Sequence, residues 1–169
     1  WCRRAFSGYP VLLRLMGVTL RKGTDADSEL IISYLKRLAE YEKMGDVCNI
    51  TPTALIKLMN EENGLHAVIA EQDGSPVGMM TWYIYKIATF SGRRVFYIED
   101  VFIDDCKRGG GIGTALFTEA KRIAEELGCA RLEWKCLDWN VPAQRFYEKI
   151  GGEISDDGWL TYTVDLGGK

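Results

Sequence analysis

Residues 98–117 read IEDVFIDDCKRGGGIGTALF: an apolar run broken by two adjacent acids, then Lys107-Arg108, then glycine at 109, 110, 111 and 113, then a helix-like pattern. Glycine inside a helix costs roughly 0.5 to 1 kcal/mol relative to alanine, so four at the mouth of one need a compensating use. Bare backbone ahead of a helix lets N–H groups approach a ligand closely, and the helix N-terminus adds partial positive charge. The ligand that suits this is a phosphate or pyrophosphate, with Lys107 and Arg108 adding to the attraction.

Spacing tests two familiar phosphate loops. A nucleoside-triphosphatase loop ends in Gly-Lys-Ser/Thr, whereas Gly113 runs directly into Thr114 with no lysine. A dinucleotide fingerprint counted from Gly109 and Gly111 finds Thr114 where the third glycine belongs, and the loop lies well past the middle of the chain.

Outward from the loop, the pattern alternates strands and helices. Val18–Arg21 predicts a short strand. Residues 27–44 carry Leu30, Ile31, Tyr34, Leu35, Leu38 and Tyr41 at helical spacing. Thr51-Pro52 opens a second helix with a cap residue and a first-turn proline. Residues 65–89 predict a hairpin about Asp73-Gly74, and 93–103 a third consecutive strand. A helix over 114–128, a strand over 130–137, a helix over 141–151 and a last strand over 159–166 complete the order. A meander joined to a crossover means an α/β fold with a mixed sheet.

The chain has 169 residues, 47% hydrophobic and 27% charged, which suits one domain with a substantial core. A net charge of -3 gives no general field for nucleic acid. No run approaches the roughly eighteen apolar residues of a membrane span. Five cysteines, an odd number without a CxxC pair, read as reduced thiols of a cytoplasmic protein. One histidine, His66, and no ligand-spaced cysteines argue against a metal. Residues 1–16 differ in pattern from the rest of the chain and read as an N-terminal extension foreign to the domain, a cloning remnant or upstream segment. Met16 would be the natural start, and the domain proper would span 17–169.

Arg108 through Gly113 match R-x-x-G-x-G, which resembles the pyrophosphate loop of the GNAT superfamily of acetyl-CoA-dependent N-acetyltransferases. Five blocks, LAEYEKM, YIEDVFI, RGGGIGT, WNVPAQRFYEKIGG and DDGW, resemble in order and spacing the spermidine/spermine N-acetyltransferase group, including its thialysine-acetylating relatives. The similarity runs from about residue 18 to 166. It implies the GNAT fold: a mostly antiparallel central sheet with one splayed parallel pair, flanked by about four helices. It also implies acetyl-CoA as co-substrate, a small amine as acceptor, and a homodimer.

Amine acetylation needs a neutral nitrogen, somewhere for its proton, and an acid for the departing thiolate. Strict alternation along 93–103 would put Val95, Tyr97, Glu99, Val101 and Ile103 on one face and Phe96, Ile98, Asp100 and Phe102 on the other. Glu99 and Asp100 then interrupt opposite apolar faces, where a carboxylate is costly unless paired or used. The resemblance assigns Glu99 to accept the amine's proton through water and Tyr147 to protonate the leaving thiolate. Backbone at Val101, Phe102 and Ile103 would pair with the pantetheine arm. Arg108, Gly109, Gly110, Gly111, Ile112, Gly113 and Thr114 would hold the pyrophosphate, and Asn140 and Tyr147 would contact the coenzyme. Substrate contacts fall on Tyr41, Glu42, Glu99, Glu133 and Asp157. Lys86, Arg93 and Arg94 stand where the polyamine enzymes are more acidic, with Phe90 nearest their tryptophan, so a shorter amine such as a diamine, thialysine or another lysine-like amino acid suits at least as well as a small polyamine. Other readings are a GNAT enzyme acting on a protein or peptide amine and a non-catalytic acetyl-CoA sensor. Cys106 beside the loop has no second histidine to activate it and reads as a structural thiol.

Overall fold

A computed structural model describes residues 13–15, 17–45, 47–155, 158, 160–164 and 166. The hairpin about Asp73-Gly74 forms with both turn residues at positive φ, 53° and 77°. That is the turn geometry whose twist matches the flanking strands, here β3 (His66–Gln72) and β4 (Ser75–Ala88). Before it lie β1 (Leu13–Leu15) and β2 (Val18–Lys22), and after it β5 (Arg93–Ile103) and β6 (Cys129–Glu133). The six strands stand in chain order in one sheet. Every neighbouring pair is antiparallel except β5 and β6, which are parallel and joined through a helix.

Four α-helices accompany the sheet among the described residues: α1 (Ser28–Tyr41), α2 (Pro52–Asn60), α3 (Ile112–Glu126) and α4 (Val141–Lys149). Thr51 caps α2 by accepting the Ala54 N–H at 3.2 Å, as its place before Pro52 anticipated. α1 and α2 bury Ile31, Ile32, Tyr34 and Leu55 against Ala67, Ile69, Met79 and Phe102 on one face of the sheet. The register sets Val68 opposite Met80 and Met80 opposite Val101 on the other face, where α3 packs with Ala115, Leu116, Phe117, Ala120, Ile123 and Ala124 buried. Glu119 of α3 is fully buried, and Arg122 forks onto both its oxygens at 2.8 and 2.7 Å.

The described residues form two compact units, one up to Lys135 and one from Cys136 onward. β1 draws on the stretch that the sequence set apart as an extension, and pairs with β2 from Leu13 opposite Leu20 to Leu15 opposite Val18. The strand expected over 159–166 does not form among the described residues there: Leu160–Val164 and Leu166 are irregular, with Leu160, Tyr162, Val164 and Leu166 exposed. Apolar alternation prepares a segment for a sheet, but a strand exists only where a neighbour supplies its backbone partners. β6 likewise ends at Glu133, short of the expected residue 137.

Gly78 of β4 faces Ile103 of β5, and a Cβ built there would lie 2.6 Å from the Phe102 carbonyl oxygen and 3.3 Å from the Ile103 Cα. Backbone cannot yield as a side chain can. Gly78→Ala is expected to lower stability by about 1 to 3 kcal/mol in chemical denaturation; an unchanged midpoint would count against this close approach.

Candidate active site

β5 does not keep the strict alternation expected of it. Asp100 lies opposite Thr81, but the next pair along β4 is Trp82 with Ile98, so Glu99 is an extra residue without an opposite partner. This is a β-bulge, and it resets the faces. Opposite residues in an antiparallel ladder share a face, so Tyr97, Asp100 and Phe102 join Tyr83, Thr81 and Met79 on the α1 side. Phe96, Ile98 and Val101 share the other, with Trp82 stacked on Phe96 at 4.4 Å. The expected grouping of Val101 with Tyr97, and of Asp100 and Phe102 with Ile98, is therefore corrected. The cause is one inserted residue, which period-2 counting cannot see.

The partner strand on the other edge stops early. β6 pairs with β5 only from Arg94 to Tyr97, and beyond the Tyr97–Glu133 pair the edge of β5 over Ile98–Ile103 has no strand beside it among the described residues. The parallel pair therefore separates after Tyr97, just ahead of Glu99. Val101, Phe102 and Ile103 lie on that edge, which runs straight into the glycine loop.

Tyrosines and carboxylates gather at the bulge. The Tyr83 hydroxyl donates to Glu99 Oε2 at 3.0 Å. The Tyr83, Tyr85 and Tyr97 rings pack together, with centroids 4.9 to 6.3 Å apart. Burial, the hydrogen bond to Glu99 and the surrounding negative charge push the Tyr83 hydroxyl above its ordinary pKa. Tyr97 is raised by burial and then by the charges of Glu99, Tyr85, Glu133 and Asp100. Asp100 accepts the Thr81 hydroxyl at 2.6 Å. Burial raises its carboxyl to about 6, offset in part by that bond and reinforced by the charges of Glu99 and Glu42. Glu42, at the end of α1, is itself raised by burial.

At the loop, Gly109 and Gly111 have φ of 80° and 85°, and a Cβ on Gly110 would crowd the Lys107 carbonyl at 3.3 Å. The first N–H of α3 to bond within the helix is that of Ala115, to Gly111 at 2.9 Å. The amides of Ile112, Gly113 and Thr114 thus open the helix ahead of its first intrahelical bond, facing a loop without side chains. This fits a pyrophosphate. Lys107 is anchored to Gln72 at 3.0 Å. Arg108 donates to the Ile103 carbonyl at 3.2 Å, pairs with Asp105 at 2.8 Å and lies over the Tyr41 ring at 4.8 Å. Tyr41, expected at the substrate, thus supports the loop's arginine.

Other candidates are engaged locally. Glu133 accepts from Arg131 at 2.7 Å. Arg93 donates to the carbonyls of Gly128 and Cys129 at the start of β6, so its guanidinium is taken up there. Phe90 is exposed at the hairpin tip. His66 packs tilted against Trp82 at 4.3 Å, and burial lowers its imidazole to about 4. Cys48, Cys106, Cys129 and Cys136 are free thiols. In the second unit, Asn140 caps α4 by accepting the Ala143 N–H at 3.4 Å. Tyr147 is half-buried beside Phe146, and Gly151, at φ 87°, ends the helix. Asp157 lies outside the described residues.

Residues 35–152 match the model of the acetyltransferase (GNAT) family. The chain belongs to the GNAT family. It is an N-acetyltransferase. The thialysine N-epsilon-acetyltransferase of Bos taurus is 30% identical over 158 residues, covering 88% of this chain and 92% of that protein. The enzyme of the same name from Caenorhabditis elegans is 32% identical over 144 residues, covering 84% and 88%. Among solved structures, an aminoglycoside acetyltransferase from an uncultured soil metagenomic sample, in complex with sisomicin, superposes with a TM-score of 0.73 at 19% identity, covering 88% of this chain and 97% of that one. No group of side chains suited to a metal occurs among the described residues, and no described helix is long and apolar enough to cross a membrane.

Thr81, Tyr83 and Tyr97 were not singled out from the sequence of this GNAT enzyme. The bulge brings Asp100, opposite Thr81, onto the face that Tyr83 and Tyr97 occupy. Asp100 also yields a stability test. Its folded-state pKa, about 6, stands above the ordinary 3.8, so its protonated form is favoured in the fold. That contribution is complete below about pH 4 and is lost as pH rises through 6. Asp100→Asn keeps an acceptor for Thr81 without the charge. It should stabilise the protein by about 1 to 3 kcal/mol at pH 8 and by nothing at pH 4. Denaturation at both pH values checks this, and a pH-independent difference would refute it.

Proposed function

We propose that the enzyme transfers acetyl from acetyl-CoA to the primary amine of a small cationic acceptor, a lysine-like amino acid such as thialysine or a short diamine. The observation that carries this reading is continuity: the free edge of β5 runs from Glu99 directly into the glycine loop and the open amides of α3. A thioester laid along that edge, with its pyrophosphate in the loop, would bring its acyl end to the carboxylates and tyrosines of the bulge.

Acetyl-CoA supplies the activated acyl group; the chain's residues orient the acceptor and move protons. Glu99, Asp100 and Glu42 supply negative charge and Tyr83, Tyr85 and Tyr97 supply ring faces, a combination that attracts an ammonium group. Glu99 then takes a proton from the ammonium through water, freeing the nitrogen lone pair. The nitrogen attacks the thioester carbonyl, the C–N bond forms, the C–S bond breaks, and the nitrogen's second proton passes with that of Glu99 to solvent. Tyr147 donates its proton to the departing thiolate and is later reprotonated from solvent. The sum is amide, free thiol and one proton, with no acyl-enzyme. The names of the relatives support a lysine-like acceptor. Pairing as a homodimer and a cytoplasmic setting complete the proposal.

The decisive experiment follows thiol release from acetyl-CoA against thialysine, lysine, putrescine, spermidine, spermine and a lysine-containing peptide at pH 7 to 9. A clear rate with one short amine is the expected result; turnover of the peptide alone, or of none, would reject it. Tyr147→Phe should retain acetyl-CoA affinity and lose about 10²-fold or more in turnover, as loss of a general acid does. Unchanged turnover would remove Tyr147 from the reaction. Gly111→Ala, forcing a side chain to φ 85°, should weaken acetyl-CoA binding measured by calorimetry while leaving acceptor KM near wild type.

A further inference from the structure

A bulge interrupts the backbone ladder, so an inserted residue holds one direction only if something beside the ladder fixes it. At Glu99 that something is visible. Thr81, fully buried on β4, uses one hydroxyl twice: it donates to Asp100 Oδ2 at 2.6 Å and accepts the Asp100 backbone N–H at 3.2 Å. A hydroxyl has one donor and two acceptor lone pairs, so both bonds are made together. They seize the main chain and side chain of the residue directly after the insertion.

We propose that Thr81 and Asp100 are positioning residues that clasp the β5 bulge and so aim the Glu99 carboxylate at the acceptor amine, a role that rests on the acetyl-transfer reading of this site. The clasp fixes the chain on one side of Glu99, and the Tyr83 hydroxyl, at 3.0 Å, holds the carboxylate itself. The two devices act on different atoms. Losing the clasp frees the backbone from which the Glu99 side chain springs, whereas losing Tyr83 leaves that backbone in place. Threonine is required here in a particular sense. Valine has its shape but neither bond, and would deprive the half-buried Asp100 carboxylate and its N–H of the Thr81 hydroxyl. Serine keeps both bonds.

The test compares wild type, Thr81→Val, Thr81→Ser, Glu99→Gln and the Thr81→Val/Glu99→Gln double variant. Thr81→Val should reduce kcat/KM for the acceptor by about 10- to 100-fold, as misplacement of a reacting group does. Acetyl-CoA affinity should stay within about twofold, and Thr81→Ser should lie close to wild type. In the Glu99→Gln background Thr81→Val should add less than about twofold, because the clasp acts through Glu99. Unchanged acceptor kinetics in Thr81→Val, or effects that multiply in the double variant, would overturn the proposal and mark the pair as structural only.

Hydrogen exchange gives a readout independent of turnover. The Asp100 amide should exchange faster in Thr81→Val than in Thr81→Ser, and equal protection would overturn the clasp. If Thr81→Val does not fold, Thr81→Ala carries the same kinetic comparison, because it too removes both bonds and leaves the Asp100 carboxylate in place. A wild type silent on every amine would sink the functional reading, and the exchange experiment would then judge the clasp by itself.

Discussion

β5 has strand neighbours on both edges only as far as Tyr97. Up to that residue it is held by β4 and β6; past it no strand lies on the β6 side among the described residues, while β4 continues beside it to Ile103. Unpaired backbone inside a sheet is normally unfavourable, since each N–H and carbonyl without a partner forfeits a hydrogen bond. Here the open edge leads into a loop of bare glycine backbone and a helix start with unspent amides. Among the described residues this edge, the loop and the first amides of α3 follow one another along the chain.

The insertion at Glu99 works with this separation. An extra residue on the strand turns the side chains beyond it over, and so places Asp100 rather than Glu99 against Thr81. It also brings two adjacent acids to the α1 side, where the end of α1 adds Glu42. Crowding carboxylates in a half-buried place raises the cost of ionising each, as Asp100 shows. A bound ammonium would relieve that cost. Raised carboxyl pKa values of this kind are common where function outweighs local stability.

The support around it is well satisfied. Arg37 ties α1 to Asp104 at 2.6 Å and lies over Phe102 at 4.6 Å, bracing the approach to the loop. Arg21 reaches Asp27 and Glu71 at 2.7 and 2.6 Å, fixing the entry to α1 against β2 and β3. Burial weighs against Asp27 ionising, yet its bonds to Arg21 and Thr24 hold its carboxyl below the usual range. These pairs lie at element ends, where they set the angle at which α1 delivers Tyr41 and Glu42.

Local chemistry was legible in the sequence: the helix starts at Thr51-Pro52 and Asn140, the Asp73-Gly74 turn, the glycine loop and the limits of β5 at Arg93 and Ile103. Each depends on residues a few positions apart, whose preferences come from backbone geometry and capping alone. The GNAT family was legible too, because its loop needs glycine at fixed spacing. The bulge, the point where β5 and β6 part, the engagement of Arg93 and Tyr41, and the irregular course of residues 160–164 were decided by tertiary structure. A register shift is a relation between two strands, and a side chain's partner belongs to whichever element folds beside it. No spacing within one segment encodes either.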